Sequence, residues 1–209
     1  MRKPEKTRIQ AAIAALSLAL SAGHPARAET GTGAFAFRGI GGQTCATLFE
    51  DPDPAMQARQ VETLALWLSG YLTHANRSTA GVFDLIAIQD ETALAAVVTN
   101  ICRNNPDKPV GTAADALIQA LGDWTVHEAS PQLVINEDGS VLRLREATLA
   151  KLQAHLAERG LMAAPVPPVT LDDATRQALK QVQGEHGLAP TGLPDAQTLL
   201  TIFLRPATP

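Results

Sequence analysis

The chain has 209 residues, 17 of them basic and 21 acidic, with a formal net charge of −4 at neutral pH. That length allows one or two domains with a core of useful size. The acidic balance excludes partners that reward clustered Lys and Arg, so no nucleic acid and no anionic membrane surface is expected.

A basic start over residues 1–8 precedes the apolar run "IQAAIAALSLALSA", and Ala26-Arg27-Ala28 follows it. Charge, apolar run and small-x-small site in that order predict a secretory signal with cleavage after Ala28. The run is shorter than the roughly 20 residues a spanning helix needs. Five basic residues and one acidic residue fall within 1–28, so the exported chain keeps 12 basic and 20 acidic residues, a net charge of −8. No second long apolar segment follows, and no membrane partner is expected once the signal is removed.

Residues 29–42 are glycine-rich and have neither helical nor strand periodicity, which predicts a flexible or loosely docked N-terminal arm. Cys45 and Cys102 are the two cysteines. An exported chain with one pair points to a disulfide, with free thiols as the alternative. Metal binding competes poorly, because two isolated cysteines without nearby histidines make a weak site. A bond between them closes a loop of about 58 residues, for which chain entropy gives roughly 4 kcal/mol.

Three helices are predicted next. "DPDPAMQARQVETLALWLSGYLTHANR" opens on a Pro-Asp-Pro start and sets Met56, Leu64, Leu68 and Leu72 at helical spacing, widened by Val61, Trp67 and Tyr71. "DETALAAVVTNICRNNP" places Leu94, Val97, Val98 and Ile101 on one side and stops at Asn104-Asn105-Pro106. "TAADALIQALGDW" carries Ala114, Leu117, Ile118 and Leu121 and ends near Gly122. Together with the cysteine pair these predict a small disulfide-stapled helical domain over 43–124.

Residues 125–144 break the helical rhythm. Asp138-Gly139 between "LVI" and "VL" is a hairpin signal. An extended linker with one turn fits nearly as well, since an isolated hairpin is only marginally stable.

The remainder, 145–209, contains an internal echo. "ATLAKLQAHLAERGL" (147–161) and "ATRQALKQVQGEHGL" (174–188) share their Ala-Thr start and Gly-Leu end, and Asp172 with Thr175 repeats as Asp195 with Thr198. A short polar residue begins each helix and glycine ends the one before. Three helices joined by Pro-rich turns are expected, so the overall fold class is all-α, two helical domains with a short hairpin or linker between them.

Leu152-Gln153, Leu156 and Gly160, then Thr175, Ala178 and Val182-Gln183, then Gly187-Leu188, Thr191-Gly192, Asp195 and Thr198 resemble the three-helix type of peptidoglycan-binding domain. The resemblance covers about 145–204. It implies a three-helix bundle and peptidoglycan as partner, met in a shallow groove at the starts of the second and third helices. Asp172, Thr175, Arg176, Asp195 and Thr198 are the candidate binding groups there. The chain departs from that family's Asp-Gly-x-aromatic-Gly turn, which is replaced by Pro168-Val169-Thr170-Leu171-Asp172.

Cys45, Trp67, Gly70, Tyr71, Asn76, Cys102, Asn105 and Pro106 resemble a small exported helical family of HdeA-type acid-activated chaperones and Rap1a-like immunity proteins. These residues also fit structural roles: Gly70 permitting a close helix approach, Trp67 and Tyr71 filling the core, the cysteines stapling it. The resemblance implies a second function, as a chaperone or an inhibitory partner of another periplasmic protein through 43–124. Near pH 2 the 12 basic residues and four mature histidines would carry the exported chain to about +16, loosening a small domain by self-repulsion.

No catalytic constellation stands out. His74, His127, His155 and His186 lack metal-ligand spacing, and no metal or cofactor is expected. Ser69-Gly70 lacks a nucleophile-elbow setting. The Asp51/Asp53 and Asp172/Asp173 pairs have the residue types of a glycan-cleaving acid pair, but they read more simply as helix starts, where negative charge meets the positive dipole end. The expected function is therefore that of an exported, non-catalytic protein positioned at the cell wall, in the periplasm.

Overall fold

The computed structural model describes residues 35–137, 139–165 and 168–204. Residues 1–28, read above as a secretory signal with cleavage after Ala28, and residues 29–34 of the arm lie outside the described residues. Six α-helices and one two-stranded hairpin occur among them. The fold is mostly helical.

Helix α1 (Pro54–Ser78) starts where Asp53 accepts a hydrogen bond from the Ala55 N–H at 2.9 Å and Pro54 supplies a helical φ. It buries Leu64, Ala65 and Leu68, with Val61, Trp67, Tyr71 and Leu72 packed at the edge. Met56, expected on the same stripe, is 38% exposed in the first turn. Helix α2 (Glu91–Arg103) is capped by Asp90 on the Ala93 N–H and buries Leu94, Ala95, Val98 and Cys102. It ends ahead of Pro106, with the Asn105 side chain donating to the Ile101 carbonyl at 2.9 Å. Helix α3 (Val110–Ala120) presents Val110, Gly111, Ala113, Ala114 and Leu117 to the same core.

Cys45 and Cys102 form the expected disulfide, with Cα atoms 4.9 Å apart and both residues fully buried. Around it the Cys45 N–H donates to the Lys108 carbonyl and the Ala46 N–H to that of Pro106. The bond thus fixes the 3₁₀ turn Cys45–Phe49 against the end of α2.

Two expectations need correction here. The arm predicted over 29–42 is not loose where it is described: a 3₁₀ turn at Gly39–Gly42 docks on α1. Trp67 Nε1 donates to the Arg38 carbonyl at 2.8 Å, and a Cβ on Gly41 would lie 2.0 Å from the Trp67 ring. Gly70, expected to allow a close helix approach, is exposed and has open space where a Cβ would stand. The close approach is at Gly111 instead, where a Cβ would come within 2.3 Å of the Phe37 ring. Docking follows because Phe37, Trp67 and Tyr71 pack as one aromatic cluster.

Between the two readings of 125–144, the chain adopts the hairpin. Strands β1 (Gln132–Glu137) and β2 (Ser140–Arg145) pair antiparallel from Gln132↔Arg145 to Glu137↔Ser140. Gly139, at φ +78°, supplies the left-handed turn conformation that glycine adopts without penalty. Period-2 alternation turns the Leu133–Leu144 and Ile135–Leu142 pairs inward and leaves Val134 and Val141 exposed.

Helices α4 (Glu146–Glu158), α5 (Asp173–Glu185) and α6 (Ala196–Phe203) follow. Helix α4 is tied to the N-terminal elements: Thr148 Oγ1 donates to the Ala87 carbonyl and Lys151 Nζ to the Thr125 carbonyl at 2.7 Å. Arg145 pairs with Asp84 at 3.2 Å, and Trp124 stacks on Phe203 with ring centroids 3.6 Å apart. One continuous core therefore runs through both helical regions. No helix among the described residues is long and apolar enough to cross a membrane.

Candidate functional site at the starts of α5 and α6

Each of the last two helices begins in the same way. Asp172 accepts the Thr175 N–H at 2.8 Å at the start of α5, and Asp195 accepts the Thr198 N–H at 2.8 Å at the start of α6. The pattern Asp-x-x-Thr at a helix entry satisfies backbone donors that have no partner inside the helix. Asp172 also accepts the Thr175 hydroxyl, and this bond, followed by the one from the Thr175 backbone, holds its carboxyl below the ordinary aspartate pKa.

Behind each threonine stands a buried glutamine from the preceding helix. Gln153 on α4 donates from Nε2 to Thr175 Oγ1 at 2.7 Å and to the Thr170 carbonyl at 2.8 Å. Gln183 on α5 donates to Thr198 Oγ1 at 2.9 Å, to Thr191 Oγ1 at 3.0 Å and to the Leu193 carbonyl at 3.1 Å. Its Oε1 accepts the Gly192 N–H at 2.8 Å. Gly192 can make that approach because it sits at φ +75°, with the Arg176 carbonyl only 3.0 Å from where a Cβ would be. Every polar atom of the Gln183 amide is satisfied. That of Gln153 is not: its Oε1 meets no donor among the described residues.

These contacts correct the sequence-based choice of binding residues. Thr175 and Thr198 are 0% and 1% exposed and are spent on the glutamines and caps, so they have no surface to offer a ligand. Arg176 is engaged with Glu137 at 2.7 Å, tying α5 to the hairpin. Asp172 is exposed and Asp195 and Arg176 partly so, and these three are what remains of the predicted set at the surface. Sequence reasoning placed Gln153 and Gln183 in the fold pattern but not at the site. Their signal was a polar residue on an apolar stripe: Gln153 beside Leu149, Leu152 and Leu156, and Gln183 beside Leu179 and Val182.

A cavity of about 200 Å³ opens beside Asp172, lined by Gln153, Met162, Pro165, Thr170 and Ala174. On the far side of α4, His155 packs edge-on against Trp124 at 5.4 Å between centroids. Burial first, and then nearby Arg159, lowers its pKa below the usual histidine value. Among the described residues no group of three or more His, Cys, Asp or Glu side chains is arranged to hold a metal.

The paired glutamine–threonine–aspartate arrangement lies within a segment that a family description covers. Residues 145–202 match the family described as "Putative peptidoglycan binding domain". A peptidoglycan-binding domain is therefore present at the C-terminal end, as the residues of the echo implied. No curated protein matches the chain, and no solved structure does. The match ends upstream at residue 145, so the disulfide-stapled helices lie outside it.

Proposed function

We propose that this is an exported, non-catalytic protein of the periplasm that binds the cell wall through its peptidoglycan-binding domain, a three-helix bundle of α4, α5 and α6. The observation that carries the reading is the match over 145–202, and within it the second glutamine–threonine unit has all its hydrogen bonds. Export rests on the charge, apolar run and small-x-small site of residues 1–28. The non-catalytic role rests on helix-start carboxylates that are capping groups, and on cysteines consumed by the disulfide.

The stapled helical region is then the part held near the wall. The hydrogen bonds of α4 to residues 87, 123 and 125 tie the C-terminal domain directly to those elements. The test is sedimentation of the full chain with purified sacculi. Co-sedimentation that saturates with added protein is expected. A chain that stays in the supernatant at low salt removes the wall-binding reading.

A further inference from the structure

The hairpin leaves one strand edge open, and a cavity lies beside that edge. The sheet has two strands, so β2 pairs with β1 on one side alone. Glu137 and Ser140 close a two-residue turn and exchange hydrogen bonds, so by alternation Val141 and Arg143 turn their N–H and C=O groups away from β1. Neither backbone finds another partner among the described residues. The space they border is a cavity of about 200 Å³ between β2, the start of α2 and the start of α6. Its floor is apolar, with Ile88 and Leu199 each 3% exposed and Leu142 beside them. Its wall carries opposite charges. Glu91 and Arg143 both line it and both are exposed, yet among the described residues neither side chain forms an ion pair or a hydrogen bond. Asp90, also at the cavity, is already used as the cap of α2.

An open edge offers its backbone groups to an extended chain, which adds as a further strand. At about 200 Å³ the cavity is smaller than the roughly 300–1,000 Å³ of small-molecule sites, so it takes the end of a chain and not a whole ligand. Opposite charges that line one cavity without meeting suit a group bearing both a carboxylate and an ammonium, one for each. We propose that β2 and this cavity bind a stem peptide of the wall. Its backbone pairs with Val141 and Arg143, and a terminal amino-acid centre sets its carboxylate on the Arg143 guanidinium and its ammonium on Glu91. Continuity supports a wall ligand, because β2 runs into the matched domain at Arg145 and α6 supplies Leu199 from within it. The remaining walls come from residues upstream of the match, so the matched domain alone does not possess the site. This inference rests on the wall-binding reading above and narrows it to the peptide part of the polymer.

The full chain would be titrated by calorimetry with a sugar-free stem tripeptide ending in diaminopimelate, whose side chain carries a free ammonium and a free carboxylate on one carbon. Two analogues, acetylated at that amine or amidated at that carboxyl, and di-N-acetylchitobiose complete the set. Saturable binding of the tripeptide is expected, weaker by roughly tenfold for each analogue, the worth of one charged hydrogen bond. Arg143→Gln should bind the tripeptide and the amidated analogue equally, and Glu91→Gln the tripeptide and the acetylated one. Both side chains are exposed and unbonded, so neither change threatens the fold. Hydrogen exchange at the Val141 and Arg143 amides should slow when the tripeptide binds, and unchanged exchange would overturn the edge pairing. Analogues that bind as tightly as the parent, or variants that keep its preference, would overturn the charge assignment. Chitobiose binding in place of the tripeptide would overturn the peptide assignment. A chain that sediments with sacculi but binds no tripeptide would overturn this inference and leave the wall binding standing. Loss of both sedimentation and tripeptide binding would overturn the two together.

Discussion

The two halves of the C-terminal domain use the same parts and reach different states of completion. In each, a glutamine on one helix fixes the threonine in the first turn of the next, and an aspartate caps that turn. The second half closes on itself, because Gly192 bends its N–H back to Gln183. In the first half the buried Gln153 Oε1 meets no donor among the described residues. A self-satisfied unit holds a fold at no cost, whereas a buried acceptor without a donor weakens the unit that carries it. The asymmetry separates a fully bonded half from one that keeps a buried acceptor without a donor.

The comparison is tested hardest by cutting each glutamine. Gln183→Leu strands the buried Gly192 N–H and leaves the buried Thr198 hydroxyl without its donor, so a loss of about 3 kcal/mol is expected from urea unfolding. Gln153→Leu breaks two bonds but also removes the orphan acceptor, so its cost should be about 1 kcal/mol. Equal costs would mean that the two units are equally complete. Next in size, Gly192→Ala forces an L-residue into positive φ against the Arg176 carbonyl, with an expected loss of about 1–2 kcal/mol. Val169, which lies three residues before Asp172 as Gly192 does before Asp195, should accept alanine with a far smaller change in the same unfolding experiment.

Much of this fold was legible because its signals are local. Asp53, Asp90, Asp172 and Asp195 each announce a helix by their position before an amphipathic run, and each is found capping one. Asn104-Asn105-Pro106 stops α2 for reasons contained in three residues. The site was less legible for the same reason. Asp172, Thr175, Asp195 and Thr198 stood out as polar residues at helix starts, and capping is what uses most of them. The glutamines were visible as polar residues in apolar stripes, yet where their amide atoms go depends on the loop that follows. Loop geometry also hid the glycines: Gly70 shows only that a neighbour is permitted. That Trp67 instead closes on Gly41 and Phe37 on Gly111 is a matter of contacts 26 and 74 residues apart along the chain.

Smaller effects sharpen the boundary between holding and binding. Asp172→Ala and Asp195→Ala should each lose about 1 kcal/mol of stability as caps. Asp172 adds a pH signature, because its folded-state pKa lies below its unfolded one. Its stabilising contribution is complete above the unfolded aspartate pKa and is lost as pH falls through the lowered folded value. Asp172→Asn, which keeps a capping oxygen but does not titrate, should flatten that part of the acid unfolding curve. The smallest expected effect is that of Arg176→Ala. A partly exposed ion pair contributes little, so breaking the 2.7 Å bond to Glu137 should change stability by less than about 0.5 kcal/mol. Sacculus sedimentation should also be unchanged, because the guanidinium is engaged by Glu137 of the hairpin. A variant that folds normally but no longer sediments would put Arg176, on the side of α5 that faces β1, in the wall-binding surface.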